Sequence, residues 1–293
     1  MNVRDQSTLS LREEQAIYDE FIRAHPKSCL EYRGQTLEYI ACGHGAHTML
    51  IPPHISSLFP SEMGYRHILG FESQFRIIVP SLIESDSLDD IAVSLLRVIE
   101  KEGAGPVTLF GQSGSGITAQ VFFRRYSRHV AGMVLVNTVA PGHPAPRTPL
   151  FTLFKLLPAA LLKYVFKKEL MKPLDLASLP PDLAARLQVS RSLLNESFEA
   201  RFSKRRLAIE MQNARRFNAE GLVAPELLAD WRGRVLIVTS EDDAGYEDSR
   251  LLSEKLPNAS LLVLEKGYGH LAPAVKSQEV HLAIDRLMVS LSQ

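Results

Sequence analysis

Short apolar runs recur between amphipathic helical stretches, and this alternation constrains the fold more than any other feature of the chain. FRIIV at 75–79, VTLF at 107–110, MVLV at 133–136, VLIVT at 235–239 and SLLVL at 260–264 each read as a strand buried on both faces. Residues 88–102, 117–126, 248–256 and 277–291 carry helical periodicity between and after them. Ser87 is a candidate N-cap for the first of these helices, and Gly103 lies just past its end. Strand and helix in regular alternation predict a mostly parallel sheet covered on both faces. Upstream, residues 9–24 read as an amphipathic helix ended by Pro26. Strand candidates at 29–32 and 36–41 follow, joined through Arg33-Gly34-Gln35, and a buried strand at 48–51 is stopped by Pro52-Pro53.

The alternation breaks between residues 141 and 232. That interval opens with Pro-Gly-His-Pro-Ala-Pro-Arg-Thr-Pro, favours helix afterwards, and contains no run comparable to MVLV. An inserted helical subdomain is expected, because strand–helix connections are usually only ~2–6 residues. The expected division is a first core part at 1–140, the insertion at 141–232 and a second core part at 233–293. Charge divides along the same line. The chain has 33 basic and 33 acidic side chains, yet the insertion holds fifteen of the former and nine of the latter. A basic insertion therefore sits on an acidic remainder, and whole-chain neutrality removes any global attraction to nucleic acid.

The first twenty residues carry too many charges for a secretory signal, and the apolar stretch at 150–170 is broken by four lysines and Pro158, so no spanning helix is expected. Cys29 and Cys42 form no metal-ligand spacing, nor do the histidines His25, His44, His47, His67, His129 and His143. A reduced, cytoplasmic setting is the expectation.

The most informative segment is VTLFGQSGSGITAQ at 107–120, an apolar strand that runs through small residues into a helix. Gly111 and Gly116 have P-loop spacing, but Ile117 stands where the phosphate-binding lysine is required. Gly114, Gly116 and Ala119 match a dinucleotide fingerprint, but MVLV runs into Asn137-Thr138 with no carboxylate for the ribose. A chemically silent Gly/Ser turn is the plainest alternative. A nucleophile elbow fits best: Ser113 at the tip, with Gly111 two residues before and Ser115 two after, both small enough for the tight turn. Ser115 as nucleophile would place Ile117, which is not small, at the matching position.

A serine hydroxyl needs a histidine to take its proton and a carboxylate to orient that histidine. Both groups occur, in order, on loops after predicted strands: Ser240-Glu241-Asp242-Asp243, then Glu265-Lys-Gly-Tyr-Gly-His270. On LFGQSGSG (109–116), VLIVTSEDDAGY (235–246) and KGYGHLAP (266–273), the chain resembles the α/β-hydrolase superfamily from about residue 29 to 291. The resemblance implies Ser113 as nucleophile, His270 as base and Asp243 as acid, with Asp242 the competing acid. It also implies that the insertion is the family's helical cap, or lid.

In the oxyanion hole, the resemblance implies backbone N–H donors at Gly114 and just after the third strand. There relatives usually show His-Gly-X, whereas this chain has Pro52-Pro53-His54. Proline has no N–H, so His54 is the second candidate donor and Ile55 the fallback. Ser115 replaces a usual glycine, which keeps the size rule.

The implied function is a serine hydrolase acting on a carboxylic ester or thioester of a small to medium, partly apolar substrate. It implies no metal and no organic cofactor, a small-molecule substrate as partner, no nucleic acid and no stable membrane insertion. Serine at the tip argues against relatives that use aspartate there. Carbon–carbon bond hydrolysis, lactone opening, lyase or perhydrolase chemistry, and a slow-turnover ligand receptor remain alternatives on the same residues. Within the insertion, the apolar run at 150–166 is a candidate ceiling for the substrate or a lipid-docking face. Lys204-Arg205-Arg206 and Arg215-Arg216 are either an attractor for an acidic group or a solvated helix face.

Overall fold

The computed structural model describes residues 9–142, 157–171, 179–223, 228 and 230–291. Eight strands form one sheet: β1 (Lys27–Tyr32), β2 (Gln35–Cys42), β3 (His47–Leu50), β4 (Phe75–Pro80), β5 (Val107–Gln112), β6 (Val130–Val136), β7 (Arg234–Ser240) and β8 (Ala259–Leu264). Their order is β1-β2-β4-β3-β5-β6-β7-β8. β1 pairs antiparallel with β2 and β2 with β4, and every later pairing is parallel. The β1–β2 hairpin turns through Arg33 (φ 51°) and Gly34 (φ 72°), the two positive φ values that a tight two-residue turn requires.

The expected α/β-hydrolase architecture, a mostly parallel sheet with helices on both faces, is what the chain adopts. Strand alternation explains the two layers. Along β6, Met133 and Leu135 face one cluster while Val134 and Val136 face the other. The first cluster is closed by helices α3 (Leu88–Lys101) and α4 (Gly114–Tyr126), and also takes in Leu252 of α8 (Tyr246–Lys255). The second is closed by α1 (Leu11–Ala24), α2 (Tyr65–Phe71) and α9 (Ser277–Leu291). As expected, Ser87 caps α3, its hydroxyl accepting from the Asp90 N–H at 3.3 Å, and Gly103 follows with φ 59°.

α4 and α2 differ from the sequence reading. α4 begins at Gly114, three residues before the expected start, because the small residues of the turn already belong to its first turn. α2 has no counterpart in the sequence reading; it is seven residues long, too short for helical periodicity to stand out, and is held by burial of Tyr65, Ile68 and Phe71. α1 is anchored on it through the fully buried Glu14, which takes hydrogen bonds from the Tyr65 hydroxyl and the Arg66 guanidinium.

Between β6 and β7 lie α5 (Ala159–Leu170), α6 (Pro181–Arg201) and α7 (Lys204–Glu220). Much of the 150–166 run falls outside the described residues; within α5, Leu162 is buried while Leu161, Tyr164 and Val165 are exposed. α7 docks on the loop after β4 by charge. Arg206 and Arg205 both meet Glu84 (2.9 and 3.4 Å), Arg216 meets Asp86 (3.9 Å), and Asn213 donates to the Ser85 carbonyl (2.8 Å). At its far end, Glu220 meets Arg125 and Arg124 of α4. Much of the cationic run is therefore spent on pairing with core carboxylates.

Replacing Glu84 by Gln keeps its shape and removes the charge shared by two arginines. Partly exposed pairs contribute ~0–1 kcal/mol each, so the expected loss is roughly 1 kcal/mol, or about 2–4 °C in Tm. Thermal unfolding in low salt and in ~1 M salt checks the cause, since screening should shrink the difference between variant and wild type. A difference indifferent to salt would contradict docking by charge.

Candidate active site

Strand β5 ends at Gln112 and α4 begins at Gly114, so one residue makes the whole turn. That residue is Ser113, with φ 54° and ψ −126°. A side-chain-bearing residue in this region is strained by ~1–3 kcal/mol and persists only where its surroundings hold it. The Ser113 N–H donates to the Val136 carbonyl (2.9 Å), while its own carbonyl accepts from the Gly116 N–H (3.0 Å) and the Thr138 hydroxyl (2.8 Å). The small residues are required by the close approach. A Cβ on Gly111 would lie 2.6 Å from the Gly116 Cα, and one on Gly116 would lie 2.3 Å from the Thr138 hydroxyl oxygen. The Ser115 hydroxyl accepts from the Gln112 N–H (2.8 Å) and donates to the Gln112 carbonyl (2.9 Å), so it closes the turn from inside.

The loops after β7 and β8 meet beside one another. Asp243 is buried, with its side chain only 2% exposed, and its Oδ2 lies 2.7 Å from Nδ1 of His270. Its other oxygen accepts from the Gly245 N–H at 2.7 Å. A carboxylate there fixes the proton on Nδ1 and leaves Nε2 of His270 as the acceptor. The His270 side chain is 52% exposed.

Asp242 points elsewhere. It accepts from the Gly267 and Gly269 N–H groups at 2.8 and 3.1 Å, and those bonds, Gly267 first, hold its carboxyl below the usual range. It thus shapes the loop that carries His270. The Asn137 side-chain amide adds a third tie, donating to the His270 carbonyl at 3.0 Å.

Across the elbow, the loop after β3 is stitched to α4. The Ile55 N–H donates to the Gly114 carbonyl (3.3 Å), and the Thr118 hydroxyl donates to the Pro53 carbonyl. Ile55 therefore spends the N–H that made it a fallback donor. No hydrogen bond among the described residues uses the N–H of His54 or of Gly114. The His54 ring packs on Phe59, with centroids 4.0 Å apart, and its Nδ1 accepts from the Ser56 N–H (3.0 Å), which assigns the proton to Nε2. That edge lies against Gly114, where a Cβ would come within 2.2 Å of Nε2. Burial drives the His54 pKa down to about 4, and the neighbouring His270 adds to the effect.

The inserted helices reach this loop as well. Both the N–H and the hydroxyl of Ser57 donate to Glu210 of α7 at 2.7 Å, and Arg201 of α6 donates to the Ser57 carbonyl at 3.3 Å. A cavity of about 290 Å³ lies beside it, lined by Ser57, Glu84, Arg201, Arg206, Glu210 and Asn213 among others.

Thr138, Asn137 and Glu210 escaped the sequence reading. Asn137-Thr138 was legible as a polar strand end, but only the fold reveals what it holds. His67, also unassigned from sequence, pins the Gln112 side chain (2.8 Å) and is driven down to about 4 by burial. His281 packs against Phe71 and Gly70.

Residues 41–281 match the sequence profile described as the Alpha/beta hydrolase family, and the chain belongs to that family. No curated protein matches it in sequence. Among solved structures it is similar to a thermophilic esterase from Thermogutta terrifontis, 19% identical, covering 92% of this chain and 99% of that one with a TM-score of 0.64. It is also similar to the carboxylesterase CesB from Bacillus subtilis, 17% identical over 95% and 98%, with a TM-score of 0.62. The enol-lactonase from Burkholderia xenovorans is 12% identical over 89% of this chain and 100% of that one, with a TM-score of 0.63. At these identities the likeness shows the shared fold.

Two outcomes are expected. Gly114→Ala should destabilise by roughly 1–3 kcal/mol through overpacking against His54. Adding His54→Ala should recover at least about 1 kcal/mol relative to additivity in a double-mutant cycle; strict additivity would place the collision elsewhere. The second concerns pH. His54 and His67 bind protons in the unfolded chain near 6.5 but in the folded chain only near 4. Stability is therefore fully present above about pH 6.5 and falls as pH drops toward 4, by on the order of 1–3 kcal/mol per histidine. Urea midpoints across that window check this, with His67→Gln expected to flatten the slope.

Proposed function

We propose that the chain is a serine hydrolase that cleaves a carboxylic ester or thioester through an acyl-serine intermediate. The observation that carries this reading is the buried Asp243 bonded to Nδ1 of His270, on a loop tied to Asn137, while the next residue, Thr138, holds the strained elbow at Ser113. Nε2 of His270 takes the Ser113 proton as Oγ attacks the carbonyl carbon. The carbonyl oxygen gains negative charge and is met by the N–H groups of Gly114 and His54 as oxyanion donors. The N-terminus of α4 adds its positive end at the same place. The imidazolium returns its proton to the departing alcohol or thiol, and the acyl group stays on Ser113. Water, deprotonated by His270, then attacks the acyl carbon, and the breaking of that ester returns the proton to Ser113.

Asp243 stays ionised throughout and stabilises the imidazolium. These steps need only the chain's own residues. The helices α5–α7 act as the cap and, with the loop from His54 to Phe59, shape the room for a small to medium, partly apolar substrate.

A panel of short- and medium-chain esters, thioesters and lactones tests the proposal. Ser113→Ala should lower kcat by at least about 10³-fold, and Asp243→Asn by about 10³–10⁴-fold through the wrong tautomer. Asp242→Asn should cost far less, since its role is loop support. Undiminished turnover in Ser113→Ala, or a heavier loss at Asp242 than at Asp243, would overturn the assignment.

A further inference from the structure

Far along the chain from these residues in sequence, three elements bring a second group of reactive side chains together. His25 caps the C-terminal end of α1, Cys42 closes β2, and Glu72 follows the last turn of α2. One ligand atom from each lies within 4.8 Å of the others. No spacing rule could have found them, because each comes from a different element and the fold alone gathers them.

The orientation of His25 makes the group more than a coincidence of positions. Its Nδ1 lies 2.8 Å from the Phe21 carbonyl, whose only role can be to accept, so Nδ1 carries a proton. The Phe21 ring stacks on the imidazole, centroids 4.5 Å apart and 24° between planes, and holds it in that pose. A backbone carbonyl on Nδ1–H is the arrangement by which proteins aim Nε2 at a metal ion. Here Nε2 is aimed at the Glu72 carboxylate, 2.7 Å away. A lone pair and a carboxylate turned toward each other call for a positive charge between them. A proton alone would satisfy those two groups, but it would leave the third, the Cys42 sulfur, without a reason to share the place. The His25 side chain is 7% exposed and that of Glu72 30%, so the site is fixed on one side and open to entry on the other.

We propose that His25, Cys42 and Glu72 bind one divalent transition-metal ion of the zinc class. Nitrogen, sulfur and oxygen donors suit zinc and cobalt(II), with water in the fourth position. Tetrahedral bonding puts donor atoms roughly 3.3–3.7 Å apart. The His25–Glu72 pair, 2.7 Å apart, therefore opens by roughly 0.6–1.0 Å, and a separation at the 4.8 Å limit closes by roughly 1.1–1.5 Å. On binding, two protons leave to solvent, one from the Cys42 thiol and one from the hydrogen bond between Nε2 of His25 and Glu72, and the freed sulfur, nitrogen and carboxylate oxygen form the metal bonds. The ion joins the N-terminal helix to the sheet and to α2, and so acts as a staple for α1. The site shares no residue with the candidate active site.

Cobalt(II) titration of the chelator-treated full-length protein tests this directly, because thiolate bonding to cobalt gives a near-ultraviolet charge-transfer band. The expected result is a band that saturates at one equivalent, is bleached by zinc, persists in Cys29→Ser and vanishes in Cys42→Ser. Glu72→Gln and His25→Gln should weaken affinity at least tenfold. Saturating zinc should raise Tm by several degrees in the wild type and by clearly less, at the same zinc concentration, in Glu72→Gln. Should Cys42→Ser fail to fold, the wild-type stoichiometry and the Glu72→Gln titration decide. Cobalt uptake without the sulfur band, a band that survives Cys42→Ser, or affinity unchanged in Glu72→Gln would each overturn the site. Because ester hydrolysis is not the readout, failure here leaves the serine-hydrolase reading untouched, and the reverse holds as well.

Discussion

The backbone of one residue, Ser113, organises everything around it. A serine at φ 54° and ψ −126° is held against its own preference. Three neighbours hold it: the Val136 carbonyl, the Gly116 N–H and the Thr138 hydroxyl. That strain is small beside the burial of β5 and β6, whose apolar side chains fill both faces of the sheet. The same turn brings Gly111 and Gly116 so close that neither tolerates a side chain. Parallel pairing then delivers the ends of β6, β7 and β8 to the same edge, and with them Asn137, Asp243 and the loop of His270.

Charge has a structural role that the neutral total conceals. The basic insertion faces acidic groups on the loop after β4, and its arginines are engaged with Glu84 and Asp86. Two carboxylates of α7 run the other way: Glu220 meets Arg124 and Arg125 of α4, and Glu210 accepts both the N–H and the hydroxyl of Ser57. Ser57 lies three residues beyond His54, so the inserted helices and the candidate oxyanion loop are mechanically connected.

Much of the fold was legible because it is written locally. A strand buried on both faces leaves a run such as MVLV, and a tight turn leaves glycine and serine at fixed offsets from Ser113. The choice between Asp242 and Asp243 was not local, since a shift of one residue at the end of β7 exchanges a buried carboxylate for an exposed one. Geometry separates them: Asp243 meets His270, whereas Asp242 meets Gly267 and Gly269. Thr138, Asn137 and His67 act through partners distant in sequence, so nothing in their neighbours announces them. His25, Cys42 and Glu72 are the extreme case, three unremarkable residues until three elements converge.

On the proposed mechanism, Ser113 is the nucleophile and His270 activates it. Fluorophosphonate labelling of the folded protein, with the adduct mapped by peptide mass spectrometry, tests it most directly. A single adduct on Ser113 is expected, formed far more slowly in His270→Gln and absent after denaturation. An adduct on another serine such as Ser115, or none on the folded protein, would contradict it.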